Sequence, residues 1–210
     1  MSSEYSQMQI SLNQENSLIQ ESPMIQVNFS KQNLAESNLR IHEMAFRGLV
    51  NLRGSLDNPD FVKAVEGVLN TSLKMQNNSF VETKEFTILW FGPTEWMIVT
   101  AAGKQSALVA ALRASLADTF AAVTDVSGGN TIIEISGRCA RELLACGSMV
   151  DFHETEFSQG QCVQTLFAKT NVAVYQTGQE DIFRMIVRRS FSDYLGTWLV
   201  DAQKSLSNAE

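Results

Sequence analysis

Residues 89–99 read LWFGPTEWMIV, and this stretch decides the fold. Gly92 and Pro93 interrupt two apolar runs, which predicts two strands joined by a short turn. Apolar residues occupy successive positions on either side of the turn, a pattern typical of strands that are covered on both faces. A small domain has few ways to cover two faces, so we expect a partner protein. The turn is too short to carry a catalytic residue, which indicates packing rather than chemistry.

The composition of the chain limits its class. Its 210 residues are 44% hydrophobic and 19% charged, as is typical of a soluble globular protein. A formal net charge of −7 argues against a nucleic-acid surface, which needs clustered lysines and arginines. No stretch approaches a membrane span, and the N-terminus has no import signal. Three cysteines without closely spaced pairs fit reduced thiols, so we expect a cytoplasmic protein.

The distribution of apolar residues predicts one domain with a tail. Residues 1–40 are rich in Ser, Gln, Asn and Glu and read as a flexible polar tail, and residues 41–206 read as one domain with halves over 44–127 and 130–206. Within the tail, residues 23–29 alternate between apolar and polar. Two interpretations of this segment stay open, namely disorder and an edge strand that adds to another chain.

The first half follows the order strand, helix, two strands, helix, strand. A strand over 44–54 precedes a helix that Asn58 caps and Pro59 begins, and residues 71–84 read as a loop. The tryptophan hairpin comes next. A helix over about 104–117 and a strand over 122–126 complete the ferredoxin-like order.

The second half repeats the elements without repeating the residues. A strand over 131–135 leads to a helix capped by Ser136 and ended by Gly147, and strands follow near 163–168, 172–176 and 182–187. A last helix starts at Ser190 and is expected to bury Phe191, Tyr194, Leu195, Trp198 and Leu199. Several connections are too short for a parallel crossover. The sequence therefore predicts an α+β fold of two ferredoxin-like βαββαβ-type halves with antiparallel sheets.

Residues that usually carry chemistry are few and scattered. His42 and His153 are the two histidines, and their surroundings do not assemble a metal site by spacing. The stretch 125–130, DVSGGN, has the glycines of a phosphate loop but not its lysine, and it reads as an ordinary turn. We therefore expect no catalytic, cofactor-binding or metal-binding residue on this chain.

Two arginines directly before the last helix predict that an anion lies nearby. Arg188 and Arg189 lie at the positive end of the helix dipole, which disfavours cations. Strand alternation places Arg184 and Arg188 on one face and Arg189 on the other. The candidate anions, in order, are a carboxylate of this chain, a carboxylate of a partner and an anionic ligand, and the alternative is a solvated pair. With Trp90 and Trp96, these two arginines are candidate partner-interface or anion-contacting residues.

At these residues the chain resembles the gamma subunit of heterotetrameric sarcosine oxidase. The most specific matches are the tryptophan hairpin and the run VRRSF at 187–191. Further matches are FRGLVNLRG at 46–54, VTDVS at 123–127, DFH at 151–153 and FSQGQC at 157–162. The chain departs from the family at Gly129-Asn130, Arg138 and Ser148-Met149, which alters turns and caps more than the core.

This resemblance implies a fold similar to folate-binding aminomethyltransferase domains. It also implies a complex that demethylates sarcosine oxidatively to glycine, makes hydrogen peroxide and passes the one-carbon unit to tetrahydrofolate. The implied partners are alpha, beta and delta subunits. FAD, FMN, NAD and tetrahydrofolate belong to the larger subunits and zinc to the smallest, so no cofactor is implied for this chain.

Three functions remain open on these residues. The first is a non-catalytic structural subunit of that complex. The second is a stand-alone folate-binding or aminomethyl-transfer protein that uses Arg188 or Arg189 for the glutamate tail of the folate. The third is a scaffold for another enzyme, which differs only in the identity of the partner.

Overall fold

Two five-stranded antiparallel sheets face each other, and two helices cover the outer face of each sheet. The structure is a computed structural model that describes residues 21–27, 29, 38–178 and 181–207. The strands are β1 (Arg40–Glu43), β2 (Gly48–Arg53), β3 (Phe80–Glu82), β4 (Phe86–Gly92), β5 (Glu95–Thr100), β6 (Ala122–Asp125), β7 (Asn130–Ser136), β8 (Cys162–Phe167), β9 (Thr170–Thr177) and β10 (Ile182–Arg188). The α-helices are α1 (Pro59–Leu69), α2 (Gln105–Ser115), α3 (Ala140–Gly147) and α4 (Ser192–Ser207).

The first sheet has the strand order β3-β4-β5-β2-β6, which is the predicted ferredoxin-like arrangement with β3 added at one edge. Asn58 caps α1 as expected, because its side chain accepts hydrogen bonds from the backbone N–H groups of Asp60 and Phe61. Strand β3 lies in the segment predicted as a loop. It has three residues, of which Phe80 is buried, and such a short strand shows no periodicity.

The second sheet has the strand order β1-β7-β10-β9-β8, and read from β8 to β1 it corresponds to the first sheet read from β3 to β6. Its outermost strand β1 comes from the N-terminal side of the first half, and Ile41 pairs with Ile135 of β7. The two ferredoxin-like halves are therefore confirmed. The sheet of the second half also contains β1, which precedes the first half in the sequence. The predicted halves assigned no strand to residues 40–43, because four residues carry too little alternation.

Both faces of the tryptophan hairpin are covered from within the chain. In β5, Trp96 and Ile98 pack against helices α1 and α2, while Met97 and Val99 pack against the second sheet. The sequence pattern therefore indicated correctly that two faces are covered. Because the second sheet supplies this cover, the hairpin pattern does not by itself require a partner protein.

Part of the expected tail packs on the domain. Met24 and Phe29 are buried in the core between the second sheet and its helices. Residues 23–26 form a turn, and the Ser192 hydroxyl donates a hydrogen bond to the Pro23 carbonyl oxygen at 2.8 Å. The flexible tail is thus corrected for residues 21–27 and 29, since a few apolar side chains anchor a polar segment. Residues 1–20, 28 and 30–37 lie outside the described residues, and the bounds of the predicted domain stay a prediction.

Two helix starts differ from the predicted ones. Ser136 is the last residue of β7, and α3 begins after Cys139, because Gly137 turns the chain with φ +110°. Helix α4 begins at Ser192 after a 3₁₀ turn over Arg189–Phe191. Leu195 and Leu199 are buried as expected. Phe191 and Tyr194, expected to be buried, are exposed at the surface because they lie on the outer side of this helix start.

Candidate functional site

The apolar layer between the two sheets ends in a cleft on each side, and each cleft contains an arginine of β10. Arg184 lines one cleft and Arg188 lines the other. Between them on the same strand face, Ile186 is buried in the layer. The predicted alternation is therefore confirmed for Arg184 and Arg188, which point to the same side of the second sheet.

The ion-pair partners of Arg184 are two carboxylates of this chain. Its Nε lies 2.9 Å from Oε2 of Glu134 on β7, and one of its terminal nitrogens lies 3.5 Å from Oε1 of Glu82 on β3. The buried phenol of Tyr175 lies beside this cluster. Burial raises the pKa of Tyr175 to about 12, although the Arg184 charge acts in the opposite direction. This arginine is thus a structural link between the sheets.

Arg188 lines a cleft of about 610 Å³ at the other end of the layer. Its side chain is exposed and makes no ion pair with any residue that the structure describes. A second guanidinium, that of Arg53, lies in the same cleft and pairs with Glu95 at 3.0 Å. The amide of Asn51 donates to Glu95 at 2.7 Å, which holds this carboxylate on the first sheet.

Side-chain amides complete the walls of this cleft. Gln164 of β8 donates to the Phe91 carbonyl oxygen at 2.7 Å and so joins the two sheets. Asn130 donates to the Val126 carbonyl oxygen at 2.8 Å. Below these groups the floor is apolar and includes Met97, Ala173 and Ile186. A cleft with an apolar floor and a few polar groups at its rim resembles a binding site.

Arg189 lies outside this cleft. It belongs to the 3₁₀ turn that follows β10, and its guanidinium donates to the Glu21 carbonyl oxygen at 3.4 Å. The structure therefore separates the two neighbouring arginines. Arg188 faces the cleft, and Arg189 contacts the N-terminal segment.

The two tryptophans of the hairpin have different surroundings. Trp96 is completely buried and lies against Phe61 with ring centroids 5.9 Å apart. This burial corrects the candidate role of Trp96 at a partner interface. Trp90 is partly exposed, and its carbonyl oxygen lies 3.6 Å from the sulfur of Cys162. Of the two, only Trp90 is accessible to another protein.

The segment between β6 and β7 forms a single 3₁₀ turn over Ser127–Gly129, in agreement with the predicted turn. The Ser127 hydroxyl donates to the Asp125 carboxylate at 2.6 Å, and its oxygen accepts the backbone N–H of Leu49 at 2.9 Å. The serine is therefore occupied in holding the loop against β2.

Neither Cys162 nor His153 lines the cleft at Arg188. Cys162 is buried with its sulfur 3.1 Å from the Ser79 carbonyl oxygen, and burial raises its pKa to about 12. A thiol with such a pKa stays protonated near neutral pH. His153 is exposed and its Nδ1 contacts the Thr155 hydroxyl at 2.9 Å. The described part of the chain contains no group of three side chains suited to a metal ion.

Sequence reasoning found Arg188 but missed the rest of the cleft. Arg53 ends β2 and Glu95 begins β5, so their pairing follows from the antiparallel register of these strands. The hairpin joins β4 to β5 and leaves the pairing of β2 with β5 undetermined, so this register came from the packed structure. Gln164 gave no signal in the sequence, because it comes from the other sheet.

No described helix has the length and apolar character needed to cross a membrane.

Comparisons with known proteins identify the family. The family model described as "Sarcosine oxidase, gamma subunit family" matches residues 53–205. The sarcosine oxidase subunit gamma of Corynebacterium sp. (strain P-1) is 28% identical over 178 residues, which cover 84% of this chain and 86% of the relative. These matches agree with the resemblance drawn from the tryptophan hairpin and the VRRSF run.

Solved structures confirm the fold. A chain of the heterotetrameric sarcosine oxidase from Corynebacterium sp. U-96 superposes with a TM-score of 0.83 at 23% identity, and the match covers 91% of this chain and 98% of that one. The glycine cleavage system aminomethyltransferase T from Bartonella henselae gives a TM-score of 0.60 at 14% identity, with 83% of this chain and 49% of that one covered. The expected likeness to aminomethyltransferases is thus found in the fold. On the family match, the chain belongs to the sarcosine oxidase gamma subunit family.

Proposed function

We propose that this chain is a structural subunit of a sarcosine oxidase complex and performs no reaction step itself. The observation that carries the proposal is the family match over residues 53–205. The similar chain from Corynebacterium sp. U-96 belongs to a heterotetrameric enzyme, and the match covers 98% of that chain. Other subunits of such a complex are therefore the partners that we expect.

The chemistry of the described residues supports a structural role. The buried thiol of Cys162 has its pKa raised to about 12, so it is a poor nucleophile near neutral pH. Arg184 pairs with both Glu134 and Glu82 between the sheets, so its charge already has partners within the chain. Arg188 is exposed and makes no ion pair in the described structure, and the side chain of Leu166 is exposed, so both are available to another subunit.

The activity we assign belongs to the complex. It would oxidise the N-methyl group of sarcosine, reduce oxygen to hydrogen peroxide, release glycine and pass the one-carbon unit to tetrahydrofolate. FAD, FMN, NAD, tetrahydrofolate and zinc would be held by the alpha, beta and delta subunits. This chain would contribute buried surface that supports the large subunit.

Gentle affinity purification of the tagged chain from its own cells tests the proposal. We expect yellow partner proteins, a native mass above that of the single chain, and hydrogen peroxide release that depends on sarcosine. A colourless monomer would contradict it. Calorimetry on the isolated chain adds a second test, because tetrahydrofolate binding with a micromolar Kd would favour the stand-alone folate-binding function instead.

A further inference from the structure

Arg184 and Arg188 share a strand face but differ in their surroundings. Arg184 lies between Glu134 and Glu82 and is half-buried. Arg188 is exposed and has no carboxylate within ion-pair distance in the described part of the chain. A buried charge without a partner is energetically costly, so the half-buried Arg184 is paired. The exposed Arg188 has no such need and can pair with a group of another protein.

The cleft at Arg188 carries a positive charge on an acidic protein. It contains two guanidiniums, those of Arg53 and Arg188, and one carboxylate, that of Glu95, which pairs with Arg53. The whole chain has a formal charge of −7. An acidic partner is therefore repelled by most of this surface and attracted to the cleft, which gives both affinity and orientation.

Apolar surface lies next to this charge. Leu166 of β8 lines the same cleft and is 55% exposed, and Phe91 on the opposite wall is partly exposed. An exposed arginine gains little from a carboxylate as long as water surrounds both. A protein segment that also covers Leu166 excludes this water and strengthens the ion pair. A small free carboxylate cannot cover the leucine in the same way.

We propose that the cleft around Arg188 binds an acidic segment of another subunit, with a carboxylate on Arg188 and an apolar side chain on Leu166. The proposal rests on the proposed function, because it identifies where the complex contacts this chain. Arg53, held by Glu95, forms the opposite wall.

Two charge reversals at neighbouring arginines test the proposal on the co-expressed complex. We expect Arg188→Glu to raise the Kd of this chain for the remaining subunits by at least about tenfold. The matched variant Arg189→Glu makes the same charge change one residue away, outside the cleft, and should stay within about threefold of the unaltered chain. Arg188→Gln removes the charge without reversing it and should give a smaller rise in Kd.

A pair of substitutions at Leu166 separates charge from shape. Leu166→Glu places a carboxylate beside Arg188 and should weaken assembly, whereas Leu166→Lys changes the shape similarly and should weaken it less. Thermal unfolding of each isolated variant checks that the chain is folded. Arg188 and Leu166 are both exposed, so we expect the melting temperatures of their variants to be close to that of the unaltered chain.

The outcomes distinguish this proposal from the proposed function. If the unaltered chain does not assemble with other subunits, the proposed function fails. If it assembles and Arg188→Glu binds as tightly, or Arg189→Glu weakens binding equally, only the cleft proposal is overturned. Calorimetry with glutarate on the isolated chain would also overturn it, should micromolar binding appear that Arg188→Glu abolishes, because the occupant would then be a small carboxylate.

Discussion

Arg184 and Glu82 lie 3.5 Å apart across the layer that separates the two sheets. Arg184 belongs to β10 of the second sheet and Glu82 to β3 at the edge of the first. The same guanidinium pairs with Glu134 at 2.9 Å, so one side chain binds a strand neighbour and the opposite sheet. Together with the hydrogen bond that the Thr177 hydroxyl of β9 donates to Glu82 at 3.1 Å, it links the two halves at this end of the layer.

Replacing this arginine should destabilise the fold. Arg184→Met removes the arginine partner of the half-buried Glu134 carboxylate and leaves it only His42, whose Nε2 lies 3.6 Å from Oε1. We expect the free energy of unfolding to fall by about 1–3 kcal/mol, less than for a fully buried pair. Arg53→Met is the matched control, because its side chain is 61% exposed and its pairing with Glu95 should contribute less than about 1 kcal/mol. Urea unfolding measures both. Equal losses would contradict a special role for Arg184.

The hairpin tryptophans should differ in their contribution to stability. Trp96→Ala removes a completely buried ring from its contact with Phe61, and we expect a loss of about 3–5 kcal/mol in the free energy of unfolding. The indole N–H of Trp96 has no acceptor among the described residues, so Trp96→Phe should cost less. Trp90→Ala serves as the control and should cost clearly less than Trp96→Ala. Similar values for both tryptophans to alanine would contradict this assignment.

Alkaline pH should destabilise the chain. Folding raises the pKa of Cys162 from 9.0 to about 12 and that of Tyr175 from 10.0 to about 12, so the folded state holds protons that the unfolded state releases above about pH 9. The contribution of these two groups to the free energy of unfolding is therefore fully present below about pH 9. It is lost as pH rises toward about 12, by up to about 1.4 kcal/mol per pH unit for each group. Urea unfolding between pH 8 and pH 11 measures the slope. Cys162→Ala and Tyr175→Phe should each flatten it, and unchanged slopes would contradict the prediction.

The N-terminal segment should contribute to stability. Met24 is buried, whereas its neighbour Ile25 is 59% exposed. We expect Met24→Ala to lower the free energy of unfolding by about 2 kcal/mol, at the low end for buried methionine because the segment can relax. Ile25→Ala should change it by less than about 0.5 kcal/mol. If the two substitutions had equal effects, residues 21–27 and 29 would not pack on the domain in solution.

Local sequence signals predicted most of the first half. Asn58 and Pro59 mark the start of α1 because a cap and a first-turn proline act on the nearest backbone groups. The hairpin turn at Gly92 and Pro93 is equally local. Strand β3 was missed, since a strand of three residues owes its existence to pairing with β4.

The candidate site was predicted in part. Strand alternation placed Arg184 and Arg188 on one face, which is a property of the backbone. It did not show that Glu82 would face Arg184 while Arg188 would face an open cleft, because the other wall comes from the first sheet. The partner surface at Arg188 thus stays a prediction for the assembly experiment.

The sequence by itself determined the family, the α+β class and the coverage of both faces of the hairpin. The tertiary structure decided that the second sheet covers the hairpin and that β1 completes this sheet. Periodicity reports which face of a strand is buried, but it carries no information about what lies on that face. Pairings such as Ile41 with Ile135 join distant parts of the chain, and only the packed structure selects them.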